Sequence, residues 1–338
     1  LTRTPATLVC LVRAGSAEHG RDRVVQALRR YDLWDPAFAD RIEVVCADLA
    51  APGLGLDEGT LAELRESVDT IYHNGGLVNF LHPYDRLRPA NVDATVDLLR
   101  IAAAVTPARL HYVSTLGIYL GPAFARRTVT ETMAPDDPTG LAGGYNQTKW
   151  VADALVRTAR ERGLAVTLHR PARITGDSRT GASNPDDYFS ALLRCCAEVG
   201  CVPDLPWGED LAPVDYVAAA IVRLSIDGHD GHYFNEHVLG YADIAAEMGL
   251  DLVPNAEWLA RVRRGVDEGT VTAFAAFVPQ LSDEPAEPQH WFDCSLTRSR
   301  LAPAGIACPP ADRALLRRYL DYFASRGLLT GQGKENRP

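Results

Sequence analysis

The chain has 338 residues, 46% hydrophobic and 23% charged, with a formal net charge of -10. This is a globular composition with room for one large domain or two smaller ones, and its negative balance argues against nucleic acid as the main partner. No apolar run reaches the roughly 18 residues of a membrane span, residues 1–7 lack the build of a signal peptide, and seven cysteines without a CxxC or a Cys/His cluster predict reduced thiols in a cytoplasmic protein with no metal site.

Residues 7–12 (TLVCLV) form a short β-branched apolar run and predict a buried parallel strand. Residues 18–31 have helical spacing, with Val24, Val25 and Leu28 on one stripe. A second strand is expected over 42–47, ending at Asp48, then a short helix over 61–67 and a third strand over 69–73, ending at Asn74-Gly75-Gly76. One helix is expected over 85–105, stopped by Pro107, and a fourth strand over 109–113, ending at Ser114-Thr115. A helix over 145–162 closes at Gly163, and a fifth strand over 165–169 ends at Arg170-Pro171. This alternation calls for a Rossmann-type doubly wound parallel sheet with helices on both faces. Beyond residue 183 the rhythm weakens. Residues 203–207 (PDLPW) read as loop, 213–225 as helix and 232–235 as a strand rejoining the sheet. Residues 241–329 read as a smaller, mostly helical C-terminal substrate lobe, and 331–338 as a tail. The expected division is a dinucleotide-binding domain over 1–182, rejoined by 211–236, and a lobe over 183–210 and 237–330.

In such sheets ligands lie outside the carboxyl ends of the strands. Arg13, Asp48, Asn74-Gly75-Gly76, Thr115 and Pro171 all fall at such ends, which predicts one long crevice. Tyr145 and Lys149 stand four residues apart on a predicted helix, and Lys149 is one of only two lysines. The spacing puts phenol and ammonium on one helix face. A neighbouring ammonium favours phenolate, so the expectation is a proton donor with its pKa drawn down toward neutrality.

These residues resemble an extended short-chain dehydrogenase/reductase, and more narrowly the thioester reductase domains of nonribosomal peptide and polyketide synthases and of carboxylic acid reductases. The matching stretches are CLVRA (10–14), ADL (47–49), IYHNGGLVNFLHPYDRLRPANV (71–92) and HYVSTLGIY (111–119). They continue with YNQTKWVAD (145–153), RPARITGDSRTGASNPDD (170–187) and PVDYVAAAIV (213–222). Gly76 stands where the family usually has Ala, and Ala94 and Ala172 where it has Gly. The family also opens with a strand and a Gly-rich turn that cradles pyrophosphate. No GxxGxxG occurs here, and the chain as given is expected to begin inside the domain.

The resemblance implies NADPH as cofactor. Arg13 and Arg23 would bind the 2′-phosphate, Asp48 and Leu49 would flank the adenine, and Asn74, Gly75, Gly76 and Val78 would run along ribose and nicotinamide. Pro171 and Ile174 would pack on the nicotinamide, and Asn91 would either support a proton relay or play a structural part in its helix. Thr115, Tyr145 and Lys149 would be catalytic, with Lys149 also on the ribose hydroxyls. The implied reaction is reductive release of an acyl or peptidyl thioester from the phosphopantetheine arm of a carrier protein, to an aldehyde and, with a second hydride, an alcohol. Arg317-Arg318 is a candidate docking patch for an acidic carrier. Rival readings are a sugar-nucleotide epimerase or dehydratase of the same superfamily, and a non-catalytic nucleotide-sensing protein.

Overall fold

The computed structural model describes residues 1–2, 4–105, 109–275, 277–278, 281–282 and 290–329. The first part alternates strand and helix: β1 (Leu8–Val12), α1 (Ala17–Arg30), β2 (Ile42–Cys46), α2 (Glu58–Ser67), β3 (Thr70–His73), α3 (Tyr84–Arg88), α4 (Ala94–Ala104) and β4 (Arg109–Val113). Side-chain caps start the helices. Ser16 Oγ accepts the His19 N–H at 3.2 Å for α1, and Asp57 Oδ1 the Thr60 N–H at 2.8 Å for α2. The helix expected over 85–105 is interrupted. A π-helical turn, Pro89–Asp93, separates α3 from α4, because proline has no N–H for the regular ladder and its ring crowds the preceding turn. The expected stop at Pro107 lies outside the described residues.

The chain continues with β5 (Arg127–Val129), α5 (Gly144–Glu161), β6 (Ala165–Pro171), β7 (Ile174–Thr175), α6 (Tyr188–Val199), β8 (Cys201–Asp204), β9 (Gly208–Glu209), β10 (Ala212–Pro213) and α7 (Val214–Asp227). It ends with β11 (Gly231–Tyr233), β12 (Leu239–Gly240), α8 (Tyr241–Met248), β13 (Asp251–Pro254), α9 (Asn255–Asp267), β14 (His290–Phe292), α10 (Ser295–Leu301) and α11 (Arg313–Ser325). Strands β11, β6, β4 and β3 form one sheet in that order. The chain divides into two compact units: Leu1–Tyr112 with Val151–Val166, and Val113–Trp150 with everything from Thr167 onward.

In the first unit β1 lies parallel to β2, from Leu8 opposite Ile42 to Val12 opposite Cys46, and β3 lies parallel to β4. Helix α1 packs closely on β2 at Gly20, where a Cβ would come within 2.6 Å of Val44 Cγ1, so only glycine permits that approach. Leu54, Leu64, Leu87, Leu98 and Leu110 are buried here.

In the second unit β6 is parallel to β11, and the Ser114 N–H donates to the His169 carbonyl at 2.7 Å. A large apolar core gathers Phe189, Leu193, Trp258, Phe274, Leu316 and Phe323. Helix α6 is closed at both ends: Asp187 accepts the Ser190 N–H at 2.7 Å, and Gly200 ends it at φ 73°. This unit holds more strand than the sequence pattern predicts. Residues 201–204 form β8, parallel to β13, so the expected loop over 203–207 begins two residues inside a strand. Proline is confined to edge strands, and among the described residues β8 pairs with β13 alone. Strands β5 and β14 pair as well. Each is three or four residues long, too short for a period-two pattern to show. Among the described residues no helix is long and apolar enough to cross a membrane, and no group of three His, Cys, Asp or Glu could hold a metal.

Candidate active site

Strand β4 ends on Val113, and Thr115 caps the 3₁₀ turn that follows (Leu116–Tyr119). Thr115 Oγ1 accepts the Gly117 N–H at 3.0 Å, and its own hydrogen points to the Pro171 carbonyl at 3.4 Å. That second contact is beyond a good hydroxyl bond, so the hydrogen can turn to a better acceptor. Gly117 must be small: a Cβ there would lie 2.5 Å from Asn146 Oδ1 and 3.3 Å from Thr115 Oγ1.

The start of α5 is anchored by side chains. Gln147 Nε2 donates to the Leu141 carbonyl at 2.9 Å, Trp150 Nε1 to the Pro135 carbonyl at 2.7 Å, and Thr148 Oγ1 to the Tyr145 carbonyl at 2.8 Å. Lys149 is 6% exposed, and its Nζ donates to the Val113 carbonyl at 2.6 Å. The ammonium thus ties the first turns of the helix that carries Tyr145 to the strand end that leads to Thr115. In the same unit Pro171 closes β6 and is buried, whereas Ile174, opposite Ala212, is 36% exposed.

The expected pKa direction for Tyr145 is reversed. Burial pushes its phenol up to about 12, because desolvation disfavours the charged form. The shift favours the neutral phenol over the phenolate.

The first unit assembles the other predicted residues. Arg13 follows β1 and Arg23 lies on α1. Both are exposed, one guanidinium nitrogen of Arg23 holds the Arg13 carbonyl, and neither side chain has a carboxylate partner among the described residues. Asp48 accepts the Ala50 N–H on Oδ1 at 2.9 Å. Leu49 meets Gly75, where a Cβ would stand 2.7 Å from Leu49 Cδ1. Asn91 is 2% exposed and grips the loop beyond β3: its Oδ1 accepts the Leu77 N–H at 2.6 Å and its Nδ2 donates to the Leu77 carbonyl at 3.1 Å. A Cβ at Gly76 would approach that Oδ1 to 3.2 Å. Asn91 itself sits on the π-helical turn, and Val78 is 61% exposed.

Two groups have no signature in the sequence. Asn146 reaches Gly117, a contact set by where α5 begins. Arg173 stacks on Tyr188 at 4.5 Å and pairs with Glu209, which also accepts from the Tyr241 hydroxyl; residues so far apart in the chain carry no local signal. The Arg317-Arg318 patch is also altered, since Arg317 Nε donates to Glu247 at 2.5 Å and Arg313 Nε to the same carboxylate at 3.1 Å. Arg317 thus shares the Glu247 carboxylate with Arg313.

Residues 1–221 match the NAD-binding family described as Male sterility protein. The chain belongs to that family. The solved terminal R domain from the myxalamid PKS-NRPS biosynthetic pathway is 37% identical, with a TM-score of 0.91 over 98% of this chain and 87% of that one. A linear gramicidin synthase of Brevibacillus parabrevis is 36% identical over 97% of this chain, and the isonitrile lipopeptide synthase of Streptomyces coeruleorubidus 38% identical over all of it. The chain spans 7% and 24% of those two relatives' lengths. The fold is thus the extended short-chain dehydrogenase/reductase Rossmann fold, and the likeness runs to reductase domains of peptide synthases; the epimerase and nucleotide-sensing readings are not favoured.

The family implies a nicotinamide cofactor, and the residues present fit one. Two exposed guanidinium groups without carboxylate partners suit phosphate oxygens, a strand end of three small residues (Asn74-Gly75-Gly76) allows close backbone approach, and Asp48 keeps one carboxylate oxygen beyond its turn bond.

Proposed function

We propose that this chain uses NADPH to release an acyl or peptidyl chain reductively from the phosphopantetheine arm of a carrier protein. The observation that carries this reading is the Lys149–Val113 hydrogen bond, which locks the Tyr145 helix to the Thr115 strand end. The nicotinamide, when bound, supplies the hydride to the thioester carbon. Thr115 donates its hydroxyl hydrogen to the carbonyl oxygen, having little to lose at Pro171. The Gly117 N–H holds its oxygen in place meanwhile. Tyr145, kept neutral by burial, donates a second hydrogen bond and then its proton to the developing alkoxide. Donors aimed at such an oxyanion are each worth roughly 3–4 kcal/mol. Lys149 lies on the same helix face and offsets the charge left on the phenol, besides holding the ribose hydroxyls. The hemithioacetal then expels the thiol and leaves an aldehyde.

Arg13 and Arg23 support NADPH over NADH, since forked guanidinium groups suit a 2′-phosphate. Asp48 and Leu49 would flank adenine, and Asn74, Gly75, Gly76 and Val78 the ribose and nicotinamide. Asn91 would shape that loop, and Pro171 and Ile174 would contact the nicotinamide face. Likeness to a gramicidin synthase and a lipopeptide synthase supports a carrier-bound peptidyl or lipopeptidyl substrate. The test supplies the chain with NADPH and an acyl thioester of a phosphopantetheinylated carrier, and follows absorbance at 340 nm with trapping of the product. Aldehyde formed in step with NADPH loss is expected. Free acid without NADPH consumption would show that the chain hydrolyses and does not reduce.

A further inference from the structure

We propose that Asn146 is a substrate-reading residue, its Oδ1 accepting the α-N–H of an aminoacyl or peptidyl thioester. The inference rests on the proposed placing of the thioester oxygen at Thr115 and Tyr145. Asn146 directly follows Tyr145 in the first turn of α5 and is partly exposed. Its Nδ2 donates to the Ala142 carbonyl at 3.3 Å. That acceptor fixes which way the carboxamide faces, because the reverse orientation would set two oxygens against each other. Oδ1 therefore turns the other way, over Gly117. The missing Cβ of Gly117 marks a point 2.5 Å from Asn146 Oδ1 and 3.3 Å from Thr115 Oγ1, so this acceptor lies beside the hydroxyl that holds the substrate oxygen. Among the described residues nothing donates to it.

The α-nitrogen of an aminoacyl thioester is two bonds from the reacting carbon. The site thus pairs donors for the carbonyl oxygen with an acceptor for the neighbouring N–H. A chain with a methylene in place of that N–H leaves Oδ1 desolvated and unpaired, which penalises it more than a lost contact would. The pantetheine arm also carries amide N–H groups, but these are common to every thioester and give no preference.

The experiment compares two pantetheine thioesters of equal length, an N-acetylaminoacyl chain and its isostere with CH₂ in place of the α-N–H. The wild-type chain should favour the amide by about tenfold in kcat/KM. Asn146→Ala should lose about tenfold on the amide and little on the isostere, while Asn146→Asp, which keeps an acceptor, should restore the preference. Equal losses on both thioesters would mean that Asn146 only supports the Thr115 turn, and a wild-type enzyme without preference would overturn the assignment outright. Absence of NADPH consumption with either thioester sinks the parent reading and this assignment together, whereas reduction without preference sinks only the assignment.

Discussion

The raised pKa of Tyr145 leads to a prediction opposite to the one its neighbour Lys149 invites. Its phenol stands near 12 against an ordinary 10, so ionising it in the folded chain costs about 2.7 kcal/mol more than in water. At pH 8 about one molecule in ten thousand carries the phenolate. A proton donor with that pKa imposes no alkaline limb in the usual range, and log kcat/KM for thioester reduction should run level from about pH 6.5 to about pH 9. Tyr145→Phe removes one donor to the oxyanion and should lower kcat by roughly a hundredfold to a thousandfold, with the residual activity equally level across that range. The measurements are steady-state rates with a soluble pantetheine thioester, corrected for its spontaneous hydrolysis, and a 295 nm difference titration of wild type against Tyr145→Phe. An alkaline limb of unit slope near pH 7 to 8, present in wild type and absent from the variant, would refute the argument. It would mean that the ammonium outweighs burial.

If Arg13 and Arg23 hold the 2′-phosphate, Arg13→Ala and Arg23→Ala should each raise KM for NADPH about tenfold or more and leave KM for NADH nearly unchanged; equal effects on both cofactors would remove that role. Asn91→Leu strips both hydrogen bonds from the Leu77 backbone and should cost about 2 kcal/mol in urea denaturation, with KM for cofactor rising before kcat falls. His111 is 3% exposed, and burial, aided by Arg109, lowers its pKa from 6.5 to about 4. The unfolded chain therefore binds the extra proton first, and stability should be lost as pH falls from about 6.5 toward 4, by about 3 kcal/mol in all. His111→Phe should flatten that part of the urea-midpoint profile.

The composition, the alternating strands and helices, and the Tyr145/Lys149 spacing were all legible in the sequence, because each depends on neighbours within a few residues. Strands β1 to β4 and helices α1, α2 and α5 stand close to where hydrophobic periodicity puts them. The break at Pro89 was missed: the apolar pattern over 85–105 runs on through the proline, and the π-helical turn there (Pro89–Asp93) leaves no mark in that pattern. The short strands β8 and β13 were hidden because a pair of four-residue segments far apart in the chain is stabilised only by meeting its partner.

At the site, sequence alone determined which residue types were available: a hydroxyl at a strand end, a phenol and an ammonium one helical turn apart, and two arginines near the first strand. Only the tertiary structure decided what those groups are. It buries Tyr145 enough to raise its pKa when spacing argues the reverse, aims Lys149 at the Val113 carbonyl, engages Arg317 with Glu247, and brings Asn146 over Gly117. Spacing along a helix says which charges are near one another, but a pKa and a hydrogen-bond partner depend on how much water each group has lost, and that is settled by segments distant in the chain.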